Sequence, residues 1–193
     1  MKIGVLALQG AFIEHIAMLH QLGVKAVAVR LPRELEGLEG LIIPGGESTT
    51  IGQLMLTYHL LEPVQSLARE GFPLLGTCAG LILLAKKVPD LPRDSIGAMD
   101  IEVRRNAFGR QVDSFETDLD IPVLGDEPFP AVFIRAPIIE RVGPQVQVLA
   151  TLPDGTCVAA RQGKILVSAF HPELTQDLRF HRYFLNIVAG TDS

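Results

Sequence analysis

Phe72-Pro73-Leu74-Leu75-Gly76-Thr77-Cys78-Ala79-Gly80-Leu81-Ile82-Leu83-Leu84 decides how this sequence folds. Residues 72–76 form an apolar run of strand length, and residues 79–86 read as an apolar helix directly after it. Almost nothing is left between them for a loop. The junction Gly76-Thr77-Cys78-Ala79-Gly80 has the pattern Gly-x-Cys-x-Gly, the thiol version of the Gly-x-Ser-x-Gly nucleophile elbow. A sharp strand-to-helix turn lifts the central side chain clear of the backbone, and the glycines let other chain segments pack closely. The start of the helix favours a thiolate, the reactive form of cysteine. The Ala79 N–H then points where an oxyanion would form. The same five residues also suit a small-residue turn around a buried, inert thiol.

The strand-then-helix rhythm continues upstream. Residues 2–8 read as a buried strand, and residues 11–22 carry Phe12, Ile16, Leu19 and Leu22 at the spacing of one helix face, with Gly23 as a stop. Residues 24–29 and 41–43 read as two more strands. Pro44-Gly45-Gly46 ends the second of these, and Ser48, Thr49 or Thr50 is expected to cap the helix that follows. Residues 60–70 suit another helix with Pro63 in its first turn. Such alternation implies right-handed crossovers and a parallel sheet. The later part changes character. Residues 99–104, 131–135, 146–151, 156–161 and 165–170 read as short strands, Asp154-Gly155 as a hairpin turn, and residues 178–188 as a closing amphipathic helix. Residues 88–95 and 120–130 read as surface connections. The expected fold is α/β: an open, mostly parallel sheet flanked by helices, with added antiparallel strands, in one domain over residues 1–193.

Composition narrows the function classes. The 193 residues are 48% hydrophobic and 20% charged, ordinary for a globular chain, with a formal net charge of −5. That sign argues against nucleic acid as the main partner. The longest weakly polar run, residues 74–85, is shorter than the ~18 residues a membrane helix needs, so no membrane role is expected. Two cysteines cannot build a disulfide framework, and a cytoplasmic setting is expected. Cys157, in an alternating strand with no histidine nearby, reads as a small core residue. Cys78, Cys157 and the histidines lack the close spacing of metal ligands, so no metal site is expected.

A thiol nucleophile needs a base, and the base an orienting group. His15, His20 and His59 lie in helical patterns and His181 in the last helix, and all four read as surface or packing residues. His171 differs. It follows the strand at residues 165–170 in Phe170-His171-Pro172-Glu173, where residues two apart in extended chain point the same way. Glu173 can then hold the His171 imidazole in the useful tautomer. Cys78 and His171 both sit at carboxyl ends of strands, the edge where open α/β sheets bind ligands. Pro44-Gly45-Gly46-Glu47-Ser48-Thr49 also joins a strand to a helix. Its glycines expose N–H groups suited to the second half of an oxyanion hole.

These elements, in this order, resemble the triad glutamine amidotransferases. Among them the match is to the glutaminase subunits of pyridoxal 5′-phosphate synthase. It runs through Leu8-Gln9-Gly10-Ala11-Phe12, the 44–49 and 76–80 segments, Arg105-Asn106-Ala107-Phe108-Gly109-Arg110-Gln111, Phe133-Ile134-Arg135-Ala136-Pro137 and Phe170-His171-Pro172-Glu173-Leu174-Thr175. The elbow and His-Pro-Glu are shared across the superfamily; the 105–111 and 133–137 segments are specific to this branch.

The resemblance implies hydrolysis of L-glutamine to L-glutamate and ammonia without a cofactor. It implies Cys78 as nucleophile, His171 as base and acid, Glu173 as its orienter, and Gly46 and Ala79 as oxyanion donors. It implies glutamine contacts at Gly46, Glu47, Ser48, Arg105, Ile134 and Arg135. It further implies a partner, a (β/α)8 synthase subunit that uses the ammonia to make pyridoxal 5′-phosphate. Activation on docking is then expected, with the Gly45-Gly46 peptide turning its N–H to the oxyanion on partner contact and Gln9-Gly10-Ala11 near the docking face. Two other readings share parts of this pattern. One is the glutaminase half of a different amidotransferase, for example one feeding imidazole-glycerol-phosphate synthesis. The other is a non-catalytic α/β module with Cys78 as a redox sensor, which would not require Glu173.

Overall fold

The computed structural model describes residues 1–91, 95–108 and 113–192. Two stretches of the sequence reading lie partly outside these: residues 92–94 of the 88–95 connection, and Gly109, Arg110 and Gln111 of the branch-specific segment.

The apolar run at the start forms β1 (Lys2–Leu6), followed by α1 (Phe12–Gln21) and β2 (Lys25–Val29). After a 3-10 turn the chain returns as β3 (Gly40–Ile43), then α2 (Ser48–Thr57), α3 (Leu61–Arg69), β4 (Leu74–Thr77) and α4 (Ala79–Leu84). From here strands dominate: β5 (Ala85–Lys87), β6 (Met99–Arg104), β7 (Ser114–Leu119), β8 (Phe129–Ile134), β9 (Ile138–Val142), β10 (Gln147–Thr151), β11 (Cys157–Gln162) and β12 (Ile165–Ser168). The last element is α5 (Arg179–Ala189), ended by Gly190 in the left-handed conformation that helix C-termini favour.

The main sheet has the order β2-β1-β3-β4-β12-β11-β9-β6-β5, with β10 paired to β11. β2, β1, β3, β4 and β12 run parallel, and antiparallel pairs β12–β11, β11–β9 and β9–β6 extend them. The expected mixed α/β sheet is therefore present. The winding reverses after β2: the chain steps one way from β1 to β2, then back across β1 to β3 and on to β4. Right-handed crossovers then put the intervening helices on opposite faces. The side chains agree. Thr77 meets His15 of α1, whereas a Cβ on its neighbour Gly76 would press on Leu84 of α4.

Three departures from the sequence reading have physical causes. The α4 helix ends at Leu84 rather than continuing to residue 86, because the carbonyls of Leu83 and Leu84 accept the N–H groups of Gly97 and Ala98 instead of a further helical turn. Residues 85–87 are thereby freed to pair with β6. Strand β7, absent from the sequence reading, pairs antiparallel with β8 in a separate two-stranded sheet. Its Phe115 stacks on Phe133 at 4.6 Å between ring centroids. The 120–130 stretch is not a purely exposed connection, since Ile121 and Phe129 are buried and β8 begins at Phe129.

Two elbow glycines are demanded by backbone contact. A Cβ on Gly80 would run into the Ile43 carbonyl of β3, and one on Gly76 into the backbone of Gly80. Gly52 of α2 is the contrast, as a Cβ there would touch Leu83 Cδ2 at 3.5 Å, an ordinary packing distance. Gly80→Ala is expected to destabilise by about 2 kcal/mol or more, and Gly52→Ala to stabilise by about 0.5–1 kcal/mol. Urea unfolding midpoints of the two variants should move in opposite directions.

Candidate active site

Pairing of β4 with β12 assembles the site. Thr77 lies opposite Ser168, and the Cys78 N–H extends the ladder by donating to the Ser168 carbonyl at 2.8 Å. Cys78 has φ 49° and ψ −100°, a conformation side-chain-bearing residues avoid, which is the mark of a sharp nucleophile turn. The turn leaves the Ala79 N–H at the start of α4 with no intrahelical acceptor. Three residues beyond β12, the His171 N–H donates to the Val132 carbonyl at 2.8 Å, which ties this loop to β8.

His171 lies between the two remaining members of the expected triad. Its Nδ1 is 2.6 Å from Glu173 Oε1, and Cys78 stands beside the ring, since a Cβ on Gly45 would press on His171 Cε1 and lie 3.4 Å from Cys78 Cβ. Burial opposes a charge on His171, but the hydrogen bonds and charges of Cys78 and Glu173 outweigh it and raise the pKa to about 10. Burial likewise works against the Glu173 carboxylate, and His15 and His171 overcome it and lower the pKa. The Cys78 Sγ also approaches the Ile134 carbonyl at 3.8 Å.

The 44–47 segment closes over these groups. A Cβ on Gly45 would land on the His171 ring, and one on Gly46 on Gln9 Oε1. The Gly45 carbonyl accepts the Ala11 N–H at 3.0 Å. Since β3 lies between β1 and β4, a carbonyl turned to the β1 side sends the Gly46 N–H of the same trans peptide to the β4 side, where Cys78 stands. The 9–11 segment, expected near the docking face, thus holds the peptide whose turn is expected to depend on partner contact.

A cleft of about 590 Å³ opens here, and Gly46, Glu47, Ser48, Cys78, Arg105, Ile134, Arg135 and His171 all line it. Its size suits a small ligand. Glu47, rather than Ser48, Thr49 or Thr50, caps α2. Its carboxylate accepts the N–H groups of Thr49 and Thr50 and the Thr50 hydroxyl. Arg105 donates to Thr49 Oγ1 and the Asp90 carbonyl, while its buried Nε has no partner among the described residues. Arg135 is exposed at the rim with φ 44°. Among the described residues no group of three or more His, Cys, Asp or Glu side chains is arranged to hold a metal ion. Cys157 lies in β11 away from the cleft, and burial pushes its thiol up to about 11.

A family model, that of the SNO glutamine amidotransferase family, matches residues 5–189. The chain belongs to this family. It is similar to the pyridoxal 5′-phosphate synthase subunit PdxT of Herpetosiphon aurantiacus, 62% identical over 97% of this chain and 100% of that protein. The subunit of the same name from Moorella thermoacetica is 60% identical over 97% of this chain and 100% of its own length. A crystal structure of a glutamine amidotransferase, 51% identical, superimposes with a TM-score of 0.91 over 97% of this chain and 98% of its own. A GMP synthase subunit from Thermoplasma acidophilum, at 20% identity and a TM-score of 0.70 over 98% of this chain and 94% of its own, shares the fold.

Two residues read as packing or surface groups belong to the site's polar interior. His15 and His181 are fully buried, with His15 Nδ1 at 2.8 Å from His181 Nε2. His15 Nε2 is 3.1 Å from Thr77 Oγ1 and 3.5 Å from Glu173 Oε2. Burial above all lowers the pKa of both rings, that of His181 to about 3. The only sequence signal was the position of His15 on the inward face of α1, one helical turn from Leu19. His20 and His59 are exposed, as read from the sequence.

The raised pKa of His171 has a direct consequence. In the resting protein its ring is expected to keep its second proton through pH 8, and Glu173→Gln, which removes one of the two partners favouring the charged form, should bring that titration to lower pH. NMR of ring-labelled histidine checks both.

Proposed function

We propose that this chain hydrolyses L-glutamine to L-glutamate and ammonia and supplies the ammonia to a synthase subunit that makes pyridoxal 5′-phosphate. Membership of the glutamine amidotransferase family and about 60% identity to proteins named as subunits of that synthase support the overall reaction. The observation that carries the residue assignment is His171, held by Glu173 at 2.6 Å and lining the same cleft as Cys78.

Glutamine enters the cleft with its α-carboxylate toward Arg105 and Arg135, whose fixed positive charges suit it. With the thiol proton already on His171, as its raised pKa implies, Cys78 Sγ attacks the side-chain amide carbon. Negative charge collects on the amide oxygen, opposite the N–H groups of Gly46 and Ala79. The C–N bond breaks as His171 gives its proton to the departing ammonia, leaving a glutamyl thioester on Cys78. Water then loses a proton to His171 and attacks the thioester carbonyl. Collapse of the adduct releases glutamate and leaves that proton on His171 beside the freed sulfur, which restores the resting state. Glu173 orients the ring throughout and favours its charged form.

The partner is proposed to be a (β/α)8 subunit, and the setting cytoplasmic. No helix among the described residues is long and apolar enough to cross a membrane. Docking is proposed on the face that carries the 9–11 segment and the cleft mouth, where Ile13, Ile134 and Leu174 are exposed large apolar side chains. Contact there would steady the Ala11 N–H on the Gly45 carbonyl and thereby the Gly46 oxyanion donor. The expected dependence is a higher rate of ammonia release with the synthase subunit than without it; equal rates would remove the docking argument. Cys78→Ala should abolish release while preserving the fold by circular dichroism. Glu173→Ala should lower kcat by about 10²-fold or more. A diazo-ketone analogue of glutamine should label Cys78 and spare Cys157.

A further inference from the structure

The mechanism uses one oxygen of Glu173. The second, Oε2, is buried and accepts no hydrogen bond of good geometry, yet the ring nitrogen His15 Nε2 stands 3.5 Å away. Another unpartnered atom lies at the far end of the same chain of rings: His181 Nδ1, also buried. Between them runs the continuous contact His181 Nε2···Nδ1 His15, with His15 Nε2 also on Thr77 Oγ1.

Two neutral imidazoles in contact allow two proton arrangements. In the first, His15 carries its proton on Nδ1 and donates to His181. His181 must then carry its own proton on Nδ1, which strands a buried donor with no acceptor. It also turns the lone pair of His15 Nε2 toward a carboxylate 3.5 Å away, although the Thr77 hydroxyl can donate to it. Both features are unfavourable. In the second, His181 donates from Nε2 to His15 Nδ1, and His15 carries its proton on Nε2, facing Glu173 Oε2 and Thr77 Oγ1. Only a lone pair on His181 is then left unmatched, and the carboxylate has an N–H 3.5 Å away, shared with Thr77 Oγ1 at 3.1 Å.

We infer that His15 is a positioning residue for Glu173, presenting its Nε2–H to the second carboxylate oxygen, with His181 fixing the tautomer from behind. This rests on the catalytic roles proposed for Cys78, His171 and Glu173. The N–H dipole, 3.5 Å from Oε2, favours the ionised form of Glu173 and the orientation that keeps Oε1 on His171. The titratable groups around that carboxylate are His171 with Cys78 beyond it, and His15 with His181 behind; Glu14 of α1 acts on His15 by charge.

Paired amide substitutions test this, because the glutamine amide nitrogen falls near the position of imidazole Nε2 and the asparagine amide near that of Nδ1. His15→Gln keeps a donor toward Glu173, whereas His15→Asn keeps a partner for His181 and loses that donor. With the synthase subunit present, His15→Gln should hold kcat within about threefold of the wild type. His15→Asn should lower kcat by about tenfold or more with the KM for glutamine unchanged, and the acid limb of its kcat profile should move to higher pH. That direction follows because Glu173 loses a group favouring its charged form and protonates sooner as pH falls. A purely structural His15 predicts the reverse order, so Asn equal to or better than Gln, or an unmoved acid limb, overturns the inference.

Should either variant fail to fold, the wild-type protein decides. Two-bond ¹H–¹⁵N correlation of ring-labelled histidine should show His15 neutral and protonated on Nε2 at neutral pH, and an Nδ1–H tautomer overturns the inference. Absence of glutamine hydrolysis by wild-type protein with its synthase subunit would instead remove the catalytic reading, and the tautomer result separates that failure from this one.

Discussion

The parallel pairing of β4 with β12 is the constraint on which the rest of the site depends. Nothing local in the sequence joins Cys78 to His171. The register that sets Thr77 opposite Ser168, continued by the bond from the Cys78 N–H to the Ser168 carbonyl, places the elbow beside the loop that carries the base. A one-residue slip would turn Thr77 from the α1 face to the α4 face and carry the histidine loop away from the sulfur. Register is secured by burial on both faces of the sheet: Leu74, Leu75, Leu166 and Val167 are all fully buried, so every shifted pairing loses apolar contact.

Closeness of backbone is the second theme. Three loops, after β1, β3 and β4, converge at the carboxyl edge where the winding of the sheet reverses, the place where doubly wound sheets bind ligands. They approach so closely that side chains have no room. Gly10 lies against the Gly45 carbonyl, Gly45 against the His171 ring, and Gly80 against the Ile43 carbonyl. These glycines are required by volume, and Gly10 also by its φ of 96°. The proposed oxyanion donors, Gly46 and Ala79, belong to this closely packed backbone, with no side chain to reorganise during the reaction.

Much of this was legible in the sequence because its signals were local. The elbow was readable from five residues and the parallel half of the sheet from apolar runs punctuated by glycine; the His–Glu pair was readable from its spacing, although Glu173 reaches His171 from a 3-10 turn, Pro172–Leu174, and not from extended chain. What escaped depended on contacts between distant elements. The early end of α4 follows from Gly97 and Ala98 taking its last carbonyls, and β7 has little apolar pattern of its own beyond Phe115 and Leu119. Glu47 was missed as the α2 cap because its longer side chain folds back to Thr49 and Thr50 where a serine or threonine was expected. His15 and His181 sit on separate helices at opposite ends of the chain and meet only when α1 and α5 share a face of the sheet. No periodicity distinguishes two such histidines from ordinary packing residues, and their meaning came from the carboxylate oxygen that lay beside them.

In the proposed reaction Cys78 becomes covalently acylated during glutamine turnover. Acid quench of the protein turning over glutamine with its synthase subunit, followed by peptide mass spectrometry, detects that acyl group. A glutamyl group is expected on the peptide containing Cys78, disappearing as glutamine is exhausted. Full turnover with no adduct on that peptide, or an adduct on Cys157 instead, would rule the proposed reaction out.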